Sequence, residues 1–264
     1  MDQKTLFIVL GIISVLILSG CIDEQKETPS PTGLTAEEVR DKSIDAIDNV
    51  KSYAFDIDMS ISAPVKEQGK ATMDMTGEGR VDIENKRVYN KMDMGTMGMT
   101  TSTETYIIDN MAYIKSPSAG WMKKEAGTDM WETQDIVKSQ KELMKDIEVT
   151  LSGSEKVNGV DCYILVMKPS RDELIQLLTQ EIGDTSSISA TEAGEKIRSM
   201  EVREWIAKDT SLTRRSVTIM QIEAEGKLVD MTLITDIYDY NKPMNIELPE
   251  EAKDAKDVTQ GNTP

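Results

Sequence analysis

Histidine is missing from this sequence of 264 residues, and cysteine and basic residues are scarce. Without histidine the chain cannot form a Ser–His–Asp or Cys–His catalytic site, a histidine-ligated zinc site or an imidazole pH switch. The 30 basic side chains are outnumbered by 47 acidic ones, which leaves a formal net charge of −17. Because nucleic-acid binding requires a basic surface, this charge argues against DNA or RNA as a partner.

Familiar catalytic and cofactor motifs are absent as well. The sequence contains no EF-hand loop, P-loop, dinucleotide fingerprint or Gly-x-Ser-x-Gly elbow. Pairs of acidic residues could serve acid–base chemistry. However, Asp56 and Asp58 fall on the polar side of a predicted strand, and Glu37 and Glu38 fall in the first turn of a predicted helix, where acidic side chains are common. We therefore expect neither catalysis nor a cofactor.

The N-terminus has the features of a secretory signal. Lys4 precedes an apolar run over residues 6–18, which covers about 20 Å as a helix and is shorter than the roughly 30 Å core of a membrane. The run ends in Leu-Ser-Gly-Cys, which resembles the lipobox of membrane-anchored lipoproteins. We expect residues 1–20 to be a signal peptide and Cys21 to carry a lipid. The alternative is an uncleaved anchor helix in which Cys21 is incidental.

Three regions are expected after the signal peptide. Residues 21–33 begin with the lipidated cysteine and are polar and proline-containing, which predicts a flexible tether. Residues 34–250 are expected to form the folded domain, a length that suits one domain of a β-rich protein. Residues 251–264 are predicted to be a disordered C-terminal tail.

Hydrophobic periodicity predicts one helix followed by many strands. Thr35 and Glu38 match a capping box, and apolar residues at helical spacing predict a helix over 36–51. From Tyr53 to Ala63 apolar side chains alternate with polar ones, which is typical of a strand with one solvent-exposed face. Further strands are predicted over 71–76, 79–84, 87–94, 97–108, 111–115, 121–124, 147–157, 160–168, 201–207, 214–225 and 228–240.

Short connections between these strands predict an antiparallel meander, because parallel pairing needs long crossovers. Hairpin turns are predicted at Asp109-Asn110, Asn158-Gly159 and Gly226. Two helical inserts are predicted over 129–146 and 170–182, the second beginning with a capping box formed by Ser170 and Glu173. Residues 183–200 are predicted to form a mobile loop with one helical turn.

Several short motifs follow one another in an order found in one superfamily. They are a Tyr…Trp hairpin (Tyr113 and Trp121), the hairpin from Val157 to Tyr163, the strand and turn from Val202 to Leu212, and the closing segments Tyr238 to Pro243 and Ile246 to Pro249. Together with the preceding helix and long alternating strand, this order resembles the lipoprotein-carrier superfamily of LolA/LppX-like proteins, in particular its lipobox-bearing, membrane-anchored members. The resemblance covers residues 36–250.

The resemblance implies an α+β fold, in which a strongly curved antiparallel sheet forms a half-barrel of about 10–11 strands. The N-terminal helix and the helical inserts would pack on its concave face, which holds acyl chains in that superfamily. A curved apolar face must be filled by helices or by a ligand. The candidate cavity and lid residues are Tyr53, Phe55, Ile57, Met59, Met73, Met75, Met92, Met94, Leu174, Leu177 and Leu178. The alternative is that they form an ordinary core against the first helix.

Methionine is unusually frequent, with 17 residues against 2 phenylalanines. Flexible thioether side chains suit a cavity that accepts apolar chains of varied shape. The cluster of Met92, Met94, Met97 and Met99 could also bind Cu(I), because thioethers are soft ligands. Alternating methionines are nevertheless more typical of one face of a strand pair. Cys162 is predicted to be buried in a strand and chemically inert.

These features predict an extracytoplasmic lipoprotein of the cell envelope that binds or transfers an acyl or isoprenoid ligand and is not an enzyme. Its partners would be a lipid or other apolar small molecule, the membrane through the anchor at Cys21, and a further envelope protein. Two other classes of function stay open at this point. One is a structural or protein-interaction lipoprotein with a filled core, and the other is a methionine-rich Cu(I)-binding module.

Overall fold

The described residues include three helices whose bounds are complete, parts of two further helical segments, and twelve β-strands. The computed structural model describes residues 33–65, 69–96, 99–126, 141, 143–145, 147–175, 190–224 and 226–258. The helices are α1 (Ala36–Ile47), α2 (Ala190–Lys196) and α3 (Glu250–Lys253). The strands are β1 (Ser52–Val65), β2 (Gly69–Asp82), β3 (Arg87–Thr96), β4 (Met99–Ile108), β5 (Met111–Ser116), β6 (Gly120–Glu125), β7 (Val149–Val157), β8 (Val160–Met167), β9 (Ile197–Ala207), β10 (Thr213–Ala224), β11 (Lys227–Tyr238) and β12 (Lys256–Asp257).

All twelve described strands belong to one sheet, in the order β12-β6-β5-β4-β3-β2-β1-β11-β10-β9-β8-β7. The pairs from β2 to β6 and from β7 to β10 are antiparallel, and β12 runs parallel to β6. The order ends at β12 and β7 without closing. The predicted α+β class with an antiparallel sheet is confirmed, with twelve described strands instead of 10–11.

Helix α1 begins at the predicted capping box but is shorter than predicted. The Thr35 amide donates to the Glu38 carboxylate at 2.8 Å, and the Glu38 amide donates to the Thr35 hydroxyl at 3.2 Å. The helix ends at Ile47 rather than at residue 51. The Lys51 amide donates to the side chain of Asn241 at 2.7 Å, and its carbonyl accepts from the amide of Ile83 at 2.8 Å. These bonds hold the backbone of Lys51 in an extended entry to β1 and are incompatible with another helical turn.

Strand β1 shows the alternation that the sequence predicts. Its buried apolar residues are Tyr53, Phe55, Ile57, Met59 and Ile61, together with Ala54 near the start of the strand. Asp56 and Asp58 are exposed, which confirms their predicted position on the polar face. The hydroxyl of Tyr238 donates to Asp56 at 3.0 Å. A routine surface position therefore explains these carboxylates without catalysis.

Strand β2 corrects the prediction of separate strands over 71–76 and 79–84. The strand runs without interruption from Gly69 to Asp82, so Gly77 and Gly79 lie inside it. A Cβ atom at Gly77 would lie 2.3 Å from the sulfur of Met92, and one at Gly79 would lie 2.2 Å from Cζ of Phe55. The two glycines therefore make room for large side chains from neighbouring strands, instead of forming a turn.

The predicted hairpin turns are confirmed at two positions by their backbone conformation. Asp109 and Asn110 both have positive φ angles, of 50° and 63°, between β4 and β5. Asn158 and Gly159 have φ angles of 49° and 85° between β7 and β8. Two consecutive residues with positive φ define the tight hairpin turn that matches the twist of the flanking strands.

The helical inserts are described only in part. Leu143 and Met144 are helical and buried, but most of the predicted segment 129–146 lies outside the described residues. The second insert begins as predicted, since the Ser170 amide donates to the Glu173 carboxylate at 2.6 Å. Residues 171–175 are helical and 176–189 lie outside the described residues.

Helix α2 and the start of β9 replace the last part of the predicted loop over 183–200. A Cβ atom on Gly194 would lie 2.4 Å from Cγ1 of Ile175, so α2 and helical residues 171–175 are in close contact. Ala193 and Ile197 are buried. Packing of these apolar side chains stabilises regular structure where the polar composition predicts a loop.

The C-terminal segment is ordered beyond the predicted end of the domain. Residues 251–264 were expected to be a disordered tail, but helix α3 and strand β12 are formed by residues up to 257. Lys256 pairs with Met122 of β6, and the Val258 amide donates to the carbonyl of Lys123 at 2.9 Å. Ala252 and Ala255 are buried, so this segment gains both packing and backbone hydrogen bonds.

The chain divides into two compact units. The first unit contains residues 1–48, 59–72 and 136–235, and the second contains residues 49–58, 73–135 and 236–264. Within the described ranges no helix is long and apolar enough to cross a membrane. The predicted signal peptide, Cys21 and almost all of the predicted tether lie outside these ranges.

Candidate functional site

In the first unit, helix α1 covers one face of strands β8 and β9, which is called the inner face below. Val39 of α1 packs against Tyr163, Leu165 and Ile206. The strand register brings inner-face residues into three rows that continue onto β10. These rows are Tyr163–Ile206–Thr213, Leu165–Glu204–Ser216 and Met167–Val202–Thr218.

Besides Thr213, four buried polar side chains lie among the apolar ones in this part of the sheet, and these four are called the polar band. Glu204 of β9 lies directly opposite Ser216 of β10. Thr218 follows two residues along β10, and Thr235 belongs to β11. Strand β11 neighbours β10 in the sheet, and the chain turns between them at Gly226. All four residues are at most 2% exposed.

The carboxyl group of Glu204 is the most unusual member of the band. Its burial raises its pKa from the ordinary value of 4.5 to about 8, although the nearby hydroxyls of Ser216 and Thr213 oppose this effect. The group is therefore mostly protonated at neutral pH. Among the described residues, neither carboxyl oxygen has a hydrogen-bond partner of normal geometry, and the hydroxyls of Ser216, Thr218 and Thr235 have none either.

Glu201, three residues earlier on β9, shows how this chain accommodates another buried carboxylate. Its oxygens form ion pairs with Lys168 at 3.1 Å and with Arg203 at 3.1 Å. Glu204 takes part in none of the ion pairs found between described residues. The polar band therefore combines a neutral carboxyl with hydroxyl groups, and it can both donate and accept hydrogen bonds.

Periodicity and motifs did not predict the polar band. The available signal was the alternation Val202, Glu204, Ile206, in which a carboxylate occupies an apolar position of a strand. Ser216 and Thr218 show the same irregularity on β10, where Met220 and Ile222 continue the buried positions. Polar residues at apolar positions of a strand are therefore the sequence signal for this site, and a search for apolar residues alone does not find them.

In the second unit, predicted cavity residues do come together on one face, called the methionine face. Met75 of β2 lies directly opposite Met94 of β3, and Met92 lies opposite Gly77. The Phe55 ring lies over Gly79 on the same side of β2, as the distances to the glycine Cβ positions require. Met73 shares this face because it is two residues from Met75. The four methionines are only partly buried.

The other predicted cavity residues are more deeply buried. The Tyr53 ring is fully buried, and its centroid lies 6.2 Å from that of Phe55 and 6.3 Å from that of Tyr240. Ile57, Met59 and Leu174 are buried as well. Leu177 and Leu178, the other predicted lid residues, lie outside the described residues.

The methionines considered for Cu(I) binding are placed only in part. Met92 and Met94 lie on one strand face with Met75, as expected for alternating residues of a strand pair. Met97 and the side chain of Met99 lie outside what the structure describes. Within the described residues, no group of three or more cysteine, aspartate or glutamate side chains could hold a metal ion.

The face of the second unit opposite the methionine face carries an aromatic row. The ring centroids of Tyr89 and Tyr106 are 4.9 Å apart, and those of Tyr106 and Trp121 are 5.9 Å apart. Burial, with a smaller contribution from Glu78, raises the pKa of Tyr89 to about 12. A cleft of about 230 Å³ beside this row is lined by Arg80, Tyr89, Tyr106, Asn245, Ile246 and Glu247.

Cys162 is buried in β8, as predicted. Its side chain is fully buried and packs with Val157 and Ala207. Burial raises the pKa of the thiol, which lowers the fraction of reactive thiolate at neutral pH. The predicted buried position in a strand is confirmed, and the raised pKa of the thiol agrees with the expectation of an inert structural cysteine.

One mostly antiparallel sheet together with helices defines the α+β class of fold. Residues 35–257 match the model of a family of unknown function, DUF6612, and the chain belongs to this family. A comparison with curated proteins gave no match.

Solved structures similar to this chain include LprF from Mycobacterium bovis, with 12% identity, a TM-score of 0.45, and coverage of 84% of this chain and 99% of that chain. LppX from Mycobacterium tuberculosis has 13% identity and a TM-score of 0.44, over 79% of this chain and 96% of that chain. A LolA-superfamily protein from Nitrosomonas europaea has 9% identity and a TM-score of 0.25, over 83% and 96%. The names LppX and LolA are those of the superfamily that the sequence motifs resemble.

Proposed function

We propose that this chain is an extracytoplasmic lipoprotein, tethered through a lipid on Cys21, that binds an acyl or isoprenoid chain on the apolar faces of its sheet. The observation that carries the proposal is the methionine face of the second unit. Met75, Met92 and Met94 stay partly exposed there, although they lie on the same side of the sheet as the buried ring of Phe55. Neighbouring apolar side chains that stay partly exposed favour a ligand or partner, and thioethers adapt to chains of different shape.

The proposed activity is sequestration and requires no catalytic group. Each methylene removed from water contributes about 0.8 kcal/mol, so a chain of about 16 carbons supplies roughly 10 kcal/mol before the costs of association. The acidic surface of the protein, with its net charge of −17, disfavours binding to anionic headgroups. A covalent lipid is then the feature that keeps the protein at the membrane.

Native mass spectrometry of the full chain, extracted from cell membranes in a mild detergent, tests both parts of the proposal. We expect a covalent lipid mass that disappears in the Cys21→Ser variant. We also expect a noncovalent mass that is retained in that variant and that extracts into organic solvent as an acyl or isoprenoid lipid. A protein that carries no such ligand and fails to take up an apolar fluorescent probe would contradict the binding function. That result would favour the alternative of a protein-interaction lipoprotein.

Adjacent residues on opposite sides of β2 provide a matched pair of variants. Met75 lies on the methionine face, whereas Thr76 is exposed on the other face. Met75→Lys places a charge in the proposed binding surface and should reduce probe uptake strongly. Thr76→Lys adds the same charge to the same strand and should leave uptake close to the wild-type value. Equal uptake by the two variants would show that the methionine face is not the binding surface.

A further inference from the structure

The cleft of about 230 Å³ in the second unit is called the outer cleft, because it lies on the face opposite the methionine face. Arg80, Tyr89 and Tyr106 line it from three adjacent strands, where Arg80 lies opposite Tyr89 and Tyr89 lies opposite Tyr106. Residues 245–247, in the segment that follows β11, line the rest. This volume is smaller than the roughly 300–1,000 Å³ of sites for drug-sized ligands, so the outer cleft suits a small molecule.

Two opposite charges line the outer cleft without forming an ion pair. The side chains of Arg80 and Glu247 are exposed, and neither forms a hydrogen bond or an ion pair with the other or with any further described residue. Elsewhere on this face, Lys115 pairs with Glu104 at 3.3 Å. The guanidinium carbon of Arg80 instead lies 5.7 Å from the ring centroid of Tyr89, so the ring stabilises the positive charge beside the cleft.

The backbone of Ile246 adds polar groups that lack a partner. Ile246 is only 2% exposed, so its amide and carbonyl are largely shielded from water. Neither group hydrogen-bonds to a described residue, and the side-chain amide of Asn245 has no partner among those residues either. Buried backbone polar groups in folded proteins almost always form hydrogen bonds. Because Ile246 and Asn245 line the outer cleft, a polar ligand bound there can supply the missing partners.

We propose that the outer cleft binds a free amino acid, whose carboxylate contacts Arg80 and whose ammonium group contacts Glu247. A guanidinium group binds a carboxylate through two parallel hydrogen bonds, and a carboxylate accepts strong hydrogen bonds from an ammonium group. Exposure of both side chains lets such a ligand reach them from solvent. The inference is independent of acyl binding, because the outer cleft and the methionine face lie on opposite sides of the same strands.

The charges of the outer cleft select this chemical class. A purely anionic ligand would lie beside the carboxylate of Glu247, and a purely cationic one would lie beside the guanidinium of Arg80, so each would meet a like charge. An uncharged ligand would leave both side chains without a partner. A molecule that carries both charges compensates both side chains, and one amino acid is small enough for about 230 Å³.

Isothermal titration calorimetry of the Cys21→Ser chain with L-valine and three other compounds tests the ligand class. Isovalerate is valine without its ammonium group, isobutylamine is valine without its carboxylate, and glucose is a small uncharged polar molecule. We expect valine to bind with a Kd at least about tenfold lower than that of each other compound, because each of them loses a charge-assisted hydrogen bond. Failure of valine to bind, or equal binding by any of the other three, would overturn the inference.

Substitutions that remove one charge each assign the two contacts. Arg80→Gln should weaken valine binding about tenfold without weakening isobutylamine, which has no carboxylate. Glu247→Gln should weaken valine binding to a similar extent without weakening isovalerate, which has no ammonium group. The controls are Lys70→Gln on the same strand as Arg80 and Glu250→Gln three residues after Glu247, and both should keep the wild-type Kd for valine within about twofold. If the controls weaken valine as much as the cleft variants do, the effect is one of net charge and the inference is wrong.

An apolar fluorescent probe separates this inference from the proposed function. Arg80→Gln should take up the probe as the wild type does, and valine should not displace the probe. If valine displaces it, valine binds at the apolar site and the inference is wrong. If the wild type binds valine but not the probe, the inference stands and the proposed function fails. Both substituted side chains are exposed, so the variants should fold, and circular dichroism of each variant establishes this.

Discussion

The buried carboxyl of Glu204 should make the protein less stable as the pH rises from about 5 to 8. Burial raises its pKa from 4.5 to about 8 in the folded protein, so the folded state holds the proton over a pH range in which the unfolded chain releases it. The stabilisation that the bound proton gives to the folded state is complete below pH 4.5, and it is lost as the pH rises through the pKa of Glu204 in the folded protein. Replacement by glutamine removes the titration and should remove this loss.

The size of the effect follows from the two pKa values. Between them, each pH unit costs about 1.4 kcal/mol of unfolding free energy. From pH 5 to pH 8 the wild-type chain should therefore lose roughly 3 to 4 kcal/mol more than Glu204→Gln. A difference of this size is a large part of the stability of a typical domain.

Urea unfolding at several pH values, in the Cys21→Ser background, measures the difference. Asp230→Asn is the control, because hydrogen bonds from Lys70 and Gln221 hold the pKa of Asp230 below its ordinary value of 3.8. The ionised Asp230 carboxylate stabilises the folded protein above that value, and this stabilisation is lost only as the pH falls below it. From pH 5 to 8, the unfolding free energy of Asp230→Asn should therefore change with pH as it does in the wild type. If Glu204→Gln also keeps the wild-type slope, Glu204 is not a buried, protonated carboxyl.

Two further predictions concern buried positions. Gly79→Ala would place a methyl group 2.2 Å from the Phe55 ring and should lower the free energy of unfolding by about 1–3 kcal/mol. Gly77→Ala should lower it by less, because the sulfur of Met92 can move away. Urea unfolding of both variants measures the difference, and an equal loss would contradict this reason. The Cys162 thiol, buried and with a raised pKa, should react with a thiol reagent only after unfolding; rapid labelling of the native Cys21→Ser chain would contradict this.

Features that depend on residues close together in the chain could be predicted from the sequence. The capping boxes at Thr35 and Ser170 are formed by side chains three residues apart. The turn at Asn158-Gly159 follows from residues that adopt positive φ easily. The alternation from Tyr53 to Ile61 correctly predicted which side of β1 is buried, because side chains in a strand point to opposite faces in turn.

Features that depend on distant residues were predicted poorly. The continuity of β2 depends on Phe55 and Met92, which come from other strands and fill the space above Gly79 and Gly77. The C-terminal segment is ordered because it pairs with β6, more than one hundred residues earlier in the chain. Without these contacts, the sequence alone predicted two separate strands over 71–76 and 79–84 and a disordered tail over 251–264.

The candidate site shows the same division. The sequence alone determined the apolar side of β1, the methionine-rich strands and the expected fold class, because these follow from periodicity and the order of motifs. Only the tertiary structure placed Glu204, Ser216 and Thr235 on neighbouring strands and removed them from water. A carboxyl acquires its raised pKa from its surroundings and not from its position in the chain, and those surroundings come from strands that the sequence separates.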